Sequence, residues 1–248
     1  MSFVVTVLGS SGMFATVERA CSGYLLELDG MRLWMDAGSG TWRNLVAHVD
    51  YATLDGVLLS HRHPDHTSDI FQADHAHQFG GPEPLGSIPL WAPNETIERV
   101  CAFAPDIGES FEMRPVAAGE DLDIGGATFS FVGMVHPAET VGMRVERDGA
   151  VLAYTADTGP SADLGSLAHD ADVFICEATL QDCDDPWSGH MSASQAGGIA
   201  AAAGVGKLVL THLPPNKDLD RSLEEARRES GEVLVELATD GRCIEVGI

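Results

Sequence analysis

The sequence predicts an α/β protein built as a four-layer αββα sandwich, in which two β-sheets pack face to face and helices cover their outer faces. Short apolar runs separated by glycine turns fill the first third of the chain, and the same scheme returns in the second half. In each half these strands give way to strands that alternate with helical patterns. No linker or low-complexity tract divides the halves, so we predict one domain over residues 1–248 with an approximate structural duplication.

The first half begins with strands. Apolar runs bounded by glycine predict strands in FVVTVLG, GYLLELDG, MRLWMDAGSG and GVLLSH, which begin at residues 3, 23, 31 and 56. A helix-like stretch follows the last of them. A second helix is predicted for NETIERVCAFA, which follows Pro93 and opens on an asparagine that can cap it.

The second half repeats this arrangement. Strands are predicted in ATFSFVGMVH, TVGMRVERDG, AVLAYTADTG and DVFICEAT, which lie between residues 127 and 179. The alanine-rich stretch SASQAGGIAAAAG predicts a helix that ends at its last glycine. KLVLTHLPP, a helix around DRSLEEARRES, and VLVELATDG complete the alternation.

The charge balance excludes some classes of partner. The chain has 38 acidic and 14 basic residues, and its formal net charge is -24. A protein that binds a long nucleic acid through its phosphates needs a basic footprint, so we expect no such partner. An anionic membrane surface would repel the chain for the same reason.

Cysteine usage and the start of the chain indicate the compartment. The five cysteines are scattered, and no two have the spacing of a zinc knuckle, which favours a reducing environment. MSFVVTVLGSSG has no basic leader, and no window approaches the ~18 apolar residues of a membrane span. We therefore expect a cytoplasmic protein without membrane association.

Seven metal-binding side chains follow the ends of four predicted strands. Because short loops at strand ends hold side chains rigidly, this is where a metal site is expected. Five imidazoles and two carboxylates are enough for two metal ions that share a bridging carboxylate and keep an open position. The candidates are His61, His63, Asp65, His66, His136, Asp157 and His212.

The motif SHRHPDH at 60–66 resembles the HxHxDH signature of the metallo-β-lactamase superfamily, and the later His, Asp and His stand in that family's order. The resemblance extends from VTVLGSSG to LTHLPP, nearly the whole chain. It implies the metallo-β-lactamase fold, with Asp36 orienting a ligand and Asp157 bridging two ions. By that analogy the first ion has His61, His63 and His136, and the second has Asp65, His66 and His212.

Within that superfamily the chain is most similar to the ribonuclease Z-like branch. The motifs YTADTGP, CEAT and GHMSASQAG carry this likeness. In that branch the histidine of the last motif and the glutamate before it protonate the leaving oxygen, which here implies His190 and Glu177. These two residues, together with the ligand Asp65, are the predicted catalytic residues. A structural alternative is that Glu177 caps a helix and His190 packs at its start.

The chain departs from ribonuclease Z where that enzyme grips tRNA. The segment DIFQADHAHQFGGPEPLGSIPLW is short and has neither lysine nor arginine, whereas the family has a long basic arm there. The compact members that this chain resembles include proteins implicated in cyclic-nucleotide hydrolysis. A small phosphodiester, best a 3′,5′-cyclic nucleotide, is therefore the expected substrate.

The expected mechanism is in-line attack by a hydroxide that bridges two divalent ions, with protonation of the leaving oxygen by His190. The imidazole-rich ligands favour zinc, with manganese or iron as alternatives. Alternative functions are tRNA 3′ processing, hydrolysis of a lactone, β-lactam or thioester, and metal binding without catalysis. Because relatives often pair, we also expect a homodimer.

Overall fold

The computed structural model describes residues 2–247, whose strands form two seven-stranded sheets. The strands are β1 Phe3–Gly9, β2 Gly23–Leu28, β3 Met31–Met35, β4 Gly56–Leu58, β5 Ile88–Ala92, β6 Phe111–Pro115, β7 Asp121–Ile124, β8 Ala127–Gly133, β9 Val141–Arg147, β10 Ala150–Tyr154, β11 Val173–Glu177, β12 Lys207–Thr211, β13 Leu234–Leu237 and β14 Cys243–Val246. The α-helices are α1 Thr41–His48, α2 Pro64–Thr67, α3 Ile70–Phe79, α4 Asn94–Phe103, α5 Leu164–Ala168, α6 Ala193–Ala203 and α7 Leu219–Glu229. Short 3-10 helices cover Tyr51–Thr53 and Ile107–Glu109.

The two sheets follow one scheme. The first has the strand order β14-β1-β2-β3-β4-β5-β6, and the second has the order β13-β12-β11-β10-β9-β8-β7. In the first, β1 to β3 pair antiparallel and β4 to β6 are added in parallel. In the second, β7 to β10 pair antiparallel and β11 to β13 are added in parallel. This repetition agrees with the duplication expected from the strand pattern.

Three apolar clusters hold four layers together. One lies between the sheets, where Met35 and Ile175 are fully buried. A second packs α1, α3 and α4 on the first sheet, and a third packs α5, α6 and α7 on the second. Since burying apolar area contributes about 25 cal/mol per Å², both faces of both sheets stabilise the fold. The predicted αββα sandwich is therefore confirmed.

Helix α6 shows how local sequence sets an element. The Ser192 hydroxyl accepts a hydrogen bond from the Gln195 backbone amide, and the Gln195 side-chain oxygen accepts one from the Ser192 backbone amide, which forms a capping box. At the other end Gly204 has φ 72°, a left-handed conformation that suits glycine. Within the helix a Cβ on Gly197 would lie 2.3 Å from the carbonyl oxygen of Ala226, so glycine permits the close approach of α7.

Several strands were missed by the sequence pattern. Proline in a strand interior weakens a strand prediction, and Pro89 lies within β5. Strands β6 and β7 are largely exposed, so their apolar periodicity is weak. VLVELATDG was predicted as the last strand, but one more strand, β14, follows it. Strand β14 belongs to the other sheet, where it pairs with β1.

Among residues 2–247, no helix has both the length and the apolar composition to cross a bilayer. The predicted homodimer and cytoplasmic location stay predictions.

Candidate metal centre and histidine dyad

The seven predicted ligands converge where strands of both sheets end. His61 and His63 follow β4, Asp65 and His66 lie on α2, and His136, Asp157 and His212 follow β8, β10 and β12. The backbone at and beside these ligands is unusual, because Asp36, Ala156 and His212 have φ values of 55°, 53° and 54°. A non-glycine residue in this left-handed region costs about 1–3 kcal/mol and persists where its surroundings fix it. Such strain is characteristic of functional sites.

The first group of donors has three imidazoles and one carboxylate. His63 Nδ1 lies 3.1 Å from Nε2 of His61 and 3.1 Å from Nε2 of His136. Asp157 Oδ2 lies 3.8 Å from each of the same two Nε2 atoms. These four atoms lie within 4.8 Å of one another.

The second group has two imidazoles and two carboxylates. Asp157 Oδ1 lies 3.2 Å from His66 Nε2 and 3.3 Å from His212 Nε2. Asp65 Oδ2 lies 3.2 Å from His212 Nε2 and 3.9 Å from His66 Nε2. Asp157 thus gives one oxygen to each group, which is the arrangement of a bridging ligand.

Two observations show that this donor set fits metal ions. Donors at about 2.0–2.1 Å from a tetrahedral ion lie about 3.3–3.4 Å from one another, close to the separations in both groups. In addition, His66 Nε2 and Asp157 Oδ1 are buried without a hydrogen-bond partner. A buried polar atom without a partner is costly, so the orientation of these two atoms toward a shared centre fits the binding of a cation.

Asp36 orients one imidazole of each group, His66 by a direct hydrogen bond and His61 through Ser60. Its Oδ2 accepts hydrogen bonds from His66 Nδ1 and Tyr154 Oη, both at 2.7 Å, and from Ser60 Oγ at 2.8 Å. Ser60 Oγ also lies 3.0 Å from His61 Nδ1. These contacts orient Nε2 of both imidazoles toward the donor cluster. The structure thus places Asp36 in the contact expected of it.

The other two Nε2 donors are oriented through their Nδ1 atoms. His136 Nδ1 donates to the carbonyl oxygen of Gly189 at 2.9 Å. His212 Nδ1 lies 2.8 Å from Thr179 Oγ1, and the Thr179 hydroxyl donates to Glu177 Oε2 at 2.7 Å. Glu177 therefore connects to the second group through a single threonine.

The imidazoles of the two groups have pKa values shifted in opposite directions. Burial lowers the pKa of His61, His63 and His136, which favours the neutral imidazole that a metal ion requires. Burial also opposes protonation of His66 and His212. There, however, the Asp157 charge and other nearby carboxylates outweigh burial and raise both pKa values.

We expect acid to release metal from the second group before the first. A proton competes with the metal for Nε2, and the raised pKa of His66 and His212 makes this competition effective at higher pH. Metal content per chain, measured by mass spectrometry after dialysis from about pH 8 to about pH 5.5, should fall in two steps. A single step, with both equivalents lost together, would contradict this assignment.

Glu177 and His190 form the predicted dyad. His190 Nδ1 donates to Glu177 Oε1 at 2.7 Å, and Glu177 is fully buried at the end of β11. The carboxylate also accepts from the amide of Thr158 and from both the amide and hydroxyl of Thr179. With both oxygens engaged in hydrogen bonds, Glu177 is held in place and orients His190.

The dyad lies directly beside the donor cluster. The His190 ring centroid is 5.2 Å from that of His136 and 5.4 Å from that of His212, so it borders both groups. Glu177 pairs with Thr211 in the β11/β12 register, which brings it next to His212. A proton held on His190 is therefore close to any substrate bound at the ligands.

Thr179 is expected to control metal affinity without binding metal. Thr179→Val removes the acceptor of His212 Nδ1 and a donor to Glu177, while keeping the side-chain volume. Because loss of a group that orients a ligand costs about 10–100-fold in affinity, the second metal should weaken by this factor. Competition with a chromogenic chelator measures the change. Thr179→Ser should restore affinity, and wild-type affinity in the valine protein would contradict the role.

The structure brings all nine predicted site residues together, and their roles as ligands and catalytic residues remain predictions. Asp65 Oδ2 also accepts the amide of Met13 at 2.9 Å, so the loop after β1 fixes this ligand. Apart from Asp36, the residues that orient the ligands were not predicted from the sequence. Their signal was present as hydroxyl side chains inside the quoted motifs, namely Ser60, Tyr154, Thr158 and Thr179.

A family of known proteins matches most of the chain. The model of the Beta-lactamase superfamily domain matches residues 31–213, which include all nine of these residues. The probable metallo-hydrolase YhfI of Bacillus subtilis is 33% identical and covers 93% of this chain and 96% of its own length. Its crystal structure superposes with a TM-score of 0.90 at 30% identity, over 98% of this chain and 99% of YhfI.

Two further relatives are similar over almost the whole length. Rv1339 of Mycobacterium tuberculosis is 35% identical over 92% of this chain and 87% of its own length. Ribonuclease Z of Archaeoglobus fulgidus is 24% identical over 99% of this chain and 98% of its own length. The resemblance expected from the motifs is confirmed.

Proposed function

This chain belongs to the β-lactamase superfamily as a metal-dependent hydrolase, and from that premise we propose that it hydrolyses small phosphodiesters, best a 3′,5′-cyclic nucleotide. We further propose that it uses two divalent ions, zinc in the first instance. The observation that carries the proposal is the contact between Glu177 and His190 beside the ligands of both groups. A phosphodiester needs both a charge-neutralising centre and a proton for its leaving alkoxide.

The residues of the chain would divide this work. Asp157 would contribute one oxygen to each ion, and the six remaining ligands would supply the other donors. When bound, such ions supply an activated water and positive charge for the phosphoryl oxygens. Glu177 would accept the proton-bearing Nδ1 of His190, so that a protonated His190 carries its second proton on Nε2. His190 would transfer this Nε2 proton to the departing oxygen and become neutral.

The surface beside the dyad is a second argument that the substrate is small. A cleft of about 580 Å³ opens next to His190, and no lysine or arginine lines it. Its lining includes Asp182 and Asp184, so a long polyanion would find no cation there. The single phosphate of a cyclic nucleotide needs only the metal centre.

A substrate panel on metal-analysed protein tests the proposal. Cyclic AMP, cyclic GMP and bis(4-nitrophenyl) phosphate are compared with a lactone, a thioester and a β-lactam. We expect turnover of the phosphodiesters, its loss on chelation and its recovery with zinc. Manganese and iron are added in parallel to rank the ions. The proposal would be wrong if the protein hydrolysed the lactone, the thioester or the β-lactam and none of the three phosphodiesters.

The second candidate is tRNA 3′ processing. It is favoured by the 24% identity to the Archaeoglobus fulgidus ribonuclease Z over nearly the full length of both chains. The absence of lysine and arginine between residues 69 and 91 argues against it. Efficient cleavage of a precursor tRNA at physiological salt would revive it.

A further inference from the structure

The cleft beside His190 has a lining suited to an uncharged group. Its carboxylates are already paired from outside the cleft: Lys217 Nζ lies 2.5 and 2.6 Å from the two Asp184 oxygens, and Arg228 contacts Asp182. Neither cation lines the cleft. An anionic group would therefore meet carboxylates without a free cation, so the phosphoryl group does not belong here.

One aromatic ring dominates the wall of this cleft. Trp187 is 46% exposed, whereas Trp34 and Trp91 are buried. An exposed tryptophan leaves a large apolar face in water, and such a face beside an active site is characteristic of a ligand contact. The Trp187 ring lies 4.8 Å from the His190 ring and 6.2 Å from the His136 ring, measured between centroids. It therefore connects the cleft with the metal ligands.

The loop that carries Trp187 is held rigidly. A Cβ on Gly189 would lie 2.8 Å from the indole ring, so the ring packs against a bare backbone. The carbonyl oxygen of Gly189 accepts from His136. A Cβ on Gly159 would lie 1.7 Å from the Ser188 carbonyl oxygen, so the neighbouring chain also packs closely on this loop. The indole is thus positioned by the same backbone that orients a predicted ligand.

We propose that this cleft is the subsite for the planar heteroaromatic part of the substrate, and that Trp187 is the platform on which a nucleobase stacks. The inference rests on the proposed function for the phosphate, and it adds the class of group attached to it. In a nucleoside phosphate one sugar separates the base from the phosphate. The rings of Trp187, His190 and His136 lie 4.8 to 6.2 Å from one another between centroids, so a base stacked on Trp187 would lie close to a phosphate held at the ligand cluster.

Trp187→Leu and Trp187→Phe test the platform in the zinc-loaded protein. Leucine keeps an apolar side chain without a ring, and phenylalanine keeps a ring. Since stacking of one base contributes roughly 10–100-fold in affinity, the KM for cyclic AMP should rise by about this factor in the leucine protein. The phenylalanine protein should stay within about threefold of wild type. The KM for the methyl riboside 3,5-cyclic phosphate, which has no base, should not change in either variant.

Calorimetry separates this inference from the proposed reaction. Adenosine 5′-monophosphate and ribose 5-phosphate are titrated into each zinc-loaded protein, with Phe79→Leu as a control for another exposed aromatic residue. Tighter binding of the nucleotide, lost in Trp187→Leu and kept in Phe79→Leu, supports the subsite even if no phosphodiester is turned over. Equal affinity for both ligands in the wild type, or no change in the leucine protein, overturns it.

Discussion

We expect the Asp157→Asn protein to lose metal and to lose at least about 1000-fold in kcat/KM on a phosphodiester. Asparagine has the same shape but only one oxygen, so it cannot give one to each group of donors. It also removes the charge that faces His66 and His212 at 3.2 and 3.3 Å. Because two ions contribute several kcal/mol to the transition state, and each 1.4 kcal/mol is tenfold, this loss is the expected minimum.

Metal analysis and thermal unfolding distinguish loss of the centre from loss of the fold. The wild type should hold two equivalents and gain about 2.7 kcal/mol of stability for each ion at a metal concentration 100 times Kd, whereas the variant should hold one or none. Asp170→Asn is the matched control, because Asp170 is exposed and its φ of 48° suits asparagine. Two equivalents of metal and wild-type turnover in Asp157→Asn would contradict the bridging role.

The ligand positions could be predicted because each follows an apolar strand. A strand end is visible in the sequence, and strands of a sandwich bring their ends to common edges, so His136 and His212 could be assigned before the fold was known. The contacts that orient them could not. The Thr179 bond to His212 depends on the register in which β11 pairs with β12. Because β11 is buried on both faces, its sequence has no apolar alternation from which that register could be predicted.

The fold, too, has parts that the sequence predicted and parts that it did not. The strands with strong apolar patterns were predicted, whereas β5 was missed because of Pro89 and β14 because it is short and half exposed. Trp187 was missed for a different reason. A tryptophan in a polar loop has no periodic context, and only its position beside His190 gives it a function.

His190→Ala gives the second large effect, and the effect depends on the leaving group. General acid catalysis contributes about 10²–10⁴-fold, and this contribution is largest where the leaving oxygen is strongly basic. Cyclic AMP releases a ribose alkoxide, so its turnover should fall by this factor. Bis(4-nitrophenyl) phosphate releases a stabilised phenolate that departs without a proton, so its turnover should fall much less.

The contrast between the two substrates separates an acid from a residue that only supports the site. If His190 merely packed against His136 and His212, its removal would disturb both ligands and slow both substrates equally. Glu177→Gln should reproduce the unequal pattern in weaker form, because the amide still holds His190 but without its charge. His169→Ala, a change at an exposed histidine, should leave both rates unchanged. Equal losses on both substrates would assign His190 to positioning and leave the leaving oxygen to a metal ion or water.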